Sequence, residues 1–426
     1  MAALKLEYYH KVWLALIAIW ITNYMVRLAI SPALVQIKTE LNLSYAEAGI
    51  LASAFFYAYT VMQAPAGFLG DRFGRKIIIC LANIGWTLGS LLTAAASSFI
   101  QIFAFRLATG ISEGALFSND RPIAAAYTPK EKRGKGIGLS FVGLGVGMFL
   151  GIAFGGMIAE AMGWRMIFLL FAIPSALSTL LAFKVLREPR GYKAETKAGP
   201  VVGRRVLLKH RSLWMLYLSG IPIVYSLWVL GTWAPIMFLE VGVKSLSTGA
   251  VYASLLGLAS VPGLWFSGMV SDRLRRQGKG WRAALTLNFS MLAASMFAIG
   301  VAIEMGAHEF VLALLVFSAG FSLWGVWAPF YALTADITHP SMHGTAYGIL
   351  NSINFVGSVV APWLTGFIRD LTGSFTLSSH VAAILVLAGL FLLLLVKPAF
   401  RLTYEEKTYE WPSEKKNLNS SHNLQF

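Results

Sequence analysis

The chain has 426 residues, 57% of them hydrophobic and 13% charged, with a formal net charge of +15. Soluble domains carry about a quarter charged residues, so a soluble globular fold is excluded. Nor does the basic excess point to nucleic acid, because the positive residues stand between long apolar runs, mostly on alternate loops.

Runs of about twenty apolar residues recur along the whole length, as a ~30 Å hydrocarbon core demands of a helix. Lipid permits only helices or closed barrels, and barrels show short alternating segments. Twelve helical spans are therefore predicted, near 11–33, 46–69, 77–97, 99–127, 134–159, 164–186, 213–239, 247–271, 281–303, 309–338, 344–368 and 379–396. The first lacks a small-residue cleavage site and is too long for a signal-peptide core, so it is expected to remain as a membrane helix.

Span one places Arg27 about sixteen residues from its start, roughly 24 Å from Lys11 at the helical rise. Too deep to snorkel, an arginine there must face a polar cavity or a partner. Its planar fork suits bidentate carboxylate binding; the plainer alternative is a structural ion pair with Glu113 or Asp120. Asn23 and Ser31 lie one turn to either side and share its face. In span two, Tyr59 is a candidate wall residue. After that span stands GFLGDRFGRK, Gly67 to Lys76.

Span four holds Arg106, Glu113 and Asp120 at intervals of seven residues. That is close to two helical turns, about 10 Å per step, so the three form one stripe that must face the interior. Glu113 lies at mid-membrane, where it reads as a proton carrier or as a fixed structural anion. Asp120 and Arg121 read as a mutual or gating ion pair, or as a direct part of coupling. Span five, with Gly138, Gly143, Gly145, Gly147, Gly151, Gly155 and Gly156, predicts close helix packing.

Arg187 to Arg211 is a polar stretch with eight Lys or Arg, six spans before it and six after. It divides the chain into a first bundle (1–186), a linker (187–212), a second bundle (213–396) and a polar tail (397–426). In span seven Tyr225, Trp228 and Thr232 share a face, as do Trp324, Trp327 and Tyr331 in span ten. Such stripes are packing by base rate and site wall by position. His308, His339, His343 and His380 lack metal-ligand spacing, and no Walker A loop is present. Neither metal, cofactor nor enzymatic activity is expected, and the single Cys80 excludes a disulfide within the chain.

One set of loops collects Arg72, Arg75, Lys76, Lys130, Lys132, Arg133, Lys135, the linker, Arg273, Arg275, Arg276 and Lys279. The other keeps Lys38, Arg165, Lys244 and Arg369. The asymmetry predicts a multi-pass protein of the cell (inner or plasma) membrane with both termini cytoplasmic.

Internal repetition sharpens the reading. GFLGDRFGRK has a counterpart after span eight, GMVSDRLRR from Gly268 to Arg276. Arg133-Gly134 opens span five as His343-Gly344 opens span eleven. The Gly67–Lys76 loop resembles the signature of the major facilitator superfamily, and Arg106-x-x-x-Gly110-x-x-x-Gly114 resembles a looser motif of it. The resemblance covers all twelve spans and implies an all-α membrane protein of two six-helix bundles working by alternating access. In that superfamily the loop residues Gly67, Asp71, Arg72, Gly74, Arg75 and Lys76 form a conformational latch. Asp71 is then expected near a helix N-terminus and Arg75 on a carboxylate. A role for the basic residues as topology determinants alone is the alternative.

A narrower resemblance is to the anion:cation symporters, the group of sugar-acid permeases and of sialic-acid and vesicular glutamate carriers. Tyr24 and Arg27 match its Tyr-x-x-Arg, Glu113 its membrane glutamate, and Asn119 and Arg121 its Asn-Asn-Arg. WVLGTWAPIMF in span seven is close to its Trp and Trp-x-Pro, and Asn351 matches a site asparagine. Galactonate-type members carry Asp before the span-one arginine, where this chain has Val26.

Residue reading and resemblance together expect Arg27, Tyr24, Asn23, Tyr59, Asn119, Trp228, Tyr331 and Asn351 to bind substrate. Glu113 and Asp120 are expected to couple protons. The expected function is proton symport of a small organic anion, a sugar acid or other carboxylate, by a monomer in the lipid bilayer, with Na⁺ as the alternative coupling ion. An organic-phosphate exchanger needs a second arginine in span seven, and none stands near Leu227. Drug efflux has no need of Arg27, and a non-transporting sensor on the same scaffold has no need of Arg27 with Glu113.

Overall fold

The computed structural model describes residues 7–129, 132–189, 206–277, 280–338 and 342–396. The expected tail, linker residues 190–205, Lys130 and Lys279 lie outside the described residues. Among those described, all regular structure is helical and forms twelve rods. Rod one is Tyr8–Leu28 continued by Ile30–Glu40, rod two Tyr45–Phe73, rod three Arg75–Ala94, and rod four Phe99–Gly114 continued by Phe117–Tyr127. Rods five and six are Arg133–Met162 and Trp164–Val185. After a short helix, Val206–Lys209, rod seven runs Arg211–Ser219 and Ile221–Glu240, and rod eight Leu246–Leu258 and Ser260–Arg276. Rod nine is Gly280–Glu304, rod ten Glu309–Gly325 with Trp327–Ile337, rod eleven His343–Asn354 with Val356–Thr372, and rod twelve Thr376–Leu395. Nine stretches of the described residues are long and apolar enough to cross a membrane.

Four of the breaks have a common cause. Ala29, Gly220, Ala259 and Val326 are each followed within three residues by a proline: Pro32, Pro222, Pro262 and Pro329. Proline cannot donate to the carbonyl four residues back, so the helix bends there. In lipid the freed carbonyl needs another donor. Pro329 frees Gly325, whose oxygen accepts from Ser267 Oγ of rod eight at 2.6 Å. Pro122 frees Ser118, whose oxygen accepts from Arg75 Nη1 at 3.1 Å.

The glycines of rod five pack on two sides, as their density predicts. A Cβ at Gly147 would stand 2.4 Å from the Ile21 carbonyl oxygen of rod one. One at Gly156 would stand 2.2 Å from Ala250 of rod eight, in the other half. Rods two and eleven close in the same manner, with Gly49 against the Pro362 backbone and Gly366 against that of Tyr45. These contacts lie at the end of the molecule away from the basic loops. Toward the basic end, Gly138, Gly268 and Gly348 meet nothing within 4 Å. The two halves therefore pack backbone against backbone at the end away from the basic loops.

Candidate functional site

Rods one, two and four turn polar or aromatic side chains toward one point midway along the first half. Arg27 bridges to rod four: its Nε donates to Glu113 Oε2 at 2.9 Å, and Nη2 lies 2.8 Å from the same oxygen. Nη2 also donates to Asn23 Oδ1 at 3.1 Å, one turn back on its own helix. Three rings wall the guanidinium, with centroids 4.5 Å (Tyr24), 4.8 Å (Phe55) and 4.7 Å (Tyr59) away. The aromatic faces partly replace the hydration that burial removes.

Arg27 and Glu113 are each 1% exposed, yet Arg27 Nη1 and Glu113 Oε1 make no hydrogen bond. Buried polar atoms without partners are uncommon and costly, and they mark places where a further group belongs. Arg106, also buried, stands 5.2 Å from the Phe55 ring, its Nη2 3.5 Å from the Arg27 carbonyl oxygen. Two guanidiniums against one carboxylate give the cluster a net positive charge in a medium of low dielectric. That favours an incoming anion.

Asp120 belongs to a separate layer of rod four. Its Oδ2 accepts from Trp20 Nε1 at 2.7 Å, and Oδ1 lies 3.5 Å from Arg121 Nε. The partner of Arg27 is thus Glu113 and not Asp120. Asn119 stands where rods two and four touch. Its Nδ2 donates to the carbonyls of Ala66 (3.0 Å) and Ala115 (2.8 Å), and its Oδ1 fills the space above Gly70. It pins rod two to rod four, because a short amide can saturate two backbone carbonyls where the rods touch.

In the second half, Tyr331 donates to Asn351 Oδ1 at 2.7 Å and meets Tyr347 edge-on at 5.2 Å. Trp228 packs 4.3 Å from Phe56, and Tyr59 packs 5.1 Å from Phe355, so aromatic pairs join the halves at the depth of the site. The second half thus contributes aromatic side chains and one amide–phenol pair to this interface.

The Gly67–Lys76 segment stands at the basic end and, contrary to the expected loop, is the last turns of rod two and the start of rod three joined at Gly74. Asp71 pairs with Arg75 one turn away in sequence, within the same half. The helix N-terminus there is held by a different carboxylate from the one expected. Glu188, just after rod six, accepts from Arg75 N at 3.0 Å and Lys76 N at 2.9 Å, while Asp71 is largely exposed. Gly74 makes this approach possible: it adopts φ +99°, and a Cβ would stand 3.1 Å from Glu188 Oε2. Arg72 lies over the Phe73 ring at 5.3 Å, and Gly67 faces Ser118 of rod four.

Sequence reasoning assigns no role to Phe55, Arg106 or Glu188. Phe55 lies one turn before Tyr59, and Arg106 is already on the stripe with Glu113, so both had a signal in their spacing. Glu188 had none, being more than a hundred residues from the helix it caps.

Several known proteins resemble the chain. The family model of the Major Facilitator Superfamily matches residues 12–362. The hexuronate transporter of Bacillus subtilis (strain 168) is 27% identical over 394 residues, 89% of this chain and 92% of that protein. The D-galactonate transporter of Escherichia coli O6:H1 is 25% identical over 424 residues (90% and 95%), and a probable sulfoacetate transporter of Cupriavidus necator is 28% identical over 396 (88% and 90%). Among solved structures, an inward-facing, occupied bacterial homolog of the human lysosomal transporter Spinster superposes with TM-score 0.75 at 20% identity, covering 90% of this chain and 96% of that one. A D-xylose–proton symporter superposes with TM-score 0.75 at 19% identity, covering 91% and 97%. With twelve rods in two halves, the loop signature and the family match over most of its length, this chain is a membrane transporter belonging to the major facilitator superfamily.

Proposed function

We propose that the protein carries a small monovalent organic anion, a sugar acid or similar carboxylate, together with a proton. The observation that carries this reading is the buried Arg27–Glu113 pair with its unspent Nη1 and Oε1. A substrate carboxylate and the Glu113 carboxylate compete for one guanidinium. A proton on Glu113 removes the competitor, so proton and anion load together. Relatives named for hexuronate, galactonate and sulfoacetate, all organic anions, support the substrate class. In this reading the basic loops lie in the cytoplasm, as the positive-inside rule favours, and Tyr331, Asn351 and Trp228 form the opposing wall of the site.

Proteoliposomes with an acidic exterior test this directly. Uptake of D-galactonate or D-glucuronate is expected to exceed equilibration and to collapse with a protonophore. Uptake that follows a sodium gradient alone, or that requires preloaded anion, would overturn proton symport.

In this reading the Gly67–Lys76 loop biases the balance of the two faces and does not touch the anion. Asp71→Asn is expected to slow transport by about tenfold while the Kd stays within a few fold. Initial uptake rates and ligand titration on one preparation separate the two quantities. Lost binding in a folded Asp71→Asn protein contradicts a latch.

A further inference from the structure

At the end away from the basic loops, each half of the molecule holds the first turn of a helix from the other half. Asp370, at the end of rod eleven, accepts from Tyr45 N (Oδ1, 2.9 Å) and Ala46 N (Oδ2, 2.7 Å) at the start of rod two. Glu160, at the end of rod five, accepts through Oε2 from Ser247 N at 2.6 Å and from Ser245 Oγ at 2.7 Å at the start of rod eight. The two contacts are related by the internal repeat. Ser44 and Ser245, the N-cap residues of rods two and eight, are separated by the same 201 positions as Gly67 and Gly268. Glu160 and Asp370 are separated by the same 210 positions as Gly134 and Gly344. Beneath each carboxylate a glycine brings the rods together: Gly366 lies against the Tyr45 carbonyl, and Gly156 against Ala250 and the Leu246 carbonyl.

The chemistry of both contacts is the same. The first amides of a helix have no partner within it and carry partial positive charge, so a carboxylate is favoured there. Ser44 and Ser245 satisfy the third amide, from Glu47 and Thr248, and leave the earlier ones for the carboxylate from the other half. When the halves part at this end, water takes over both the amides and the carboxylates. Each contact therefore stabilises only the arrangement in which this face is closed.

We infer that Asp370 and Glu160 form a twofold-symmetric latch that holds the outer face shut and sets the resting balance between the two faces. This goes beyond the proposed function, since it depends on no particular anion and no coupling ion. Around it, Lys38 and Arg369 stand 4.4 and 5.1 Å from the Tyr45 ring, and Arg369 Nε lies 3.1 Å from Glu240 Oε2. Those contacts tie the same corner without capping a helix.

The test uses the full chain in liposomes, with Cys80 replaced by serine and spin labels at Ser97→Cys and Met305→Cys, exposed outer positions in opposite halves. Distances between labels are read by double electron–electron resonance without ligand. Loss of one cap of this kind shifts an equilibrium by about fivefold. Asp370→Ala and Glu160→Ala are each expected to raise the open-to-closed ratio of the outer face by about that factor. As independent sites they should together raise it by about twenty-five-fold. Asp370→Asn, which keeps one acceptor oxygen, should fall between wild type and alanine. Glu40 is the control, because its carboxylate bonds Arg165 and Trp164 within its own half; Glu40→Ala should leave the distances unchanged. An unaltered distribution in the folded double variant, or an equal shift in Glu40→Ala, overturns the latch.

Discussion

Arg27→Ala is expected to abolish anion binding, and Arg27→Lys to recover little of it. Truncating one side of a buried, hydrogen-bonded charge pair costs about 2–5 kcal/mol, roughly 30-fold to several thousand-fold in Kd. The geometry explains why lysine is a poor replacement. Arg27 holds Glu113 and Asn23 with Nε and Nη2, keeps Nη1 unspent, and lies flat among Tyr24, Phe55 and Tyr59. An ammonium has no flat face to stack and no second edge to offer a carboxylate. The alanine variant also leaves Glu113 buried without its cation, so some loss of stability accompanies it. Thermal unfolding separates the two effects, and the lysine variant, which keeps the charge, isolates the loss of the fork. Ligand titration of folded Arg27→Ala at wild-type affinity would remove Arg27 from the anion site.

Glu113→Gln is expected to bind anion and exchange it across the membrane, yet fail to accumulate it under a pH gradient. Glutamine imitates the protonated acid permanently. The variant has no competitor for Arg27 and no proton to release, so counterflow survives while gradient-driven uptake falls to equilibration. Val26, next to Arg27, offers no second carboxylate, and Asp120 is engaged by Trp20 and Arg121. On the proposed function, one proton per monovalent anion is expected, with transport close to electroneutral, unless Asp120 adds another. Counterflow, gradient-driven uptake and solid-supported-membrane currents on one preparation check all three statements. Full accumulation by Glu113→Gln would exclude it as the coupling site, and large wild-type currents would exclude the single-proton count.

What could be read from the chain alone is what lipid enforces locally. Each span must satisfy its own backbone, so length and hydropathy reveal the rods. An ionisable group at mid-membrane is too costly to be incidental. Arg27 was therefore legible as an interior residue, and Arg106, Glu113 and Asp120 as one interior stripe. Which carboxylate pairs with Arg27 was not legible, because Glu113 and Asp120 lie on that same stripe. Only the depth at which rod one meets rod four selects Glu113 and gives Asp120 to Trp20. Asn119 shows the same limit: a short amide serves a ligand or two carbonyls equally well until the neighbouring rod is in place. The contacts that close one end were decided by tertiary structure entirely. Asp370 meets Tyr45 across 325 residues and Glu160 meets Ser247 across 87, and a helix N-terminus accepts any carboxylate the fold delivers to it.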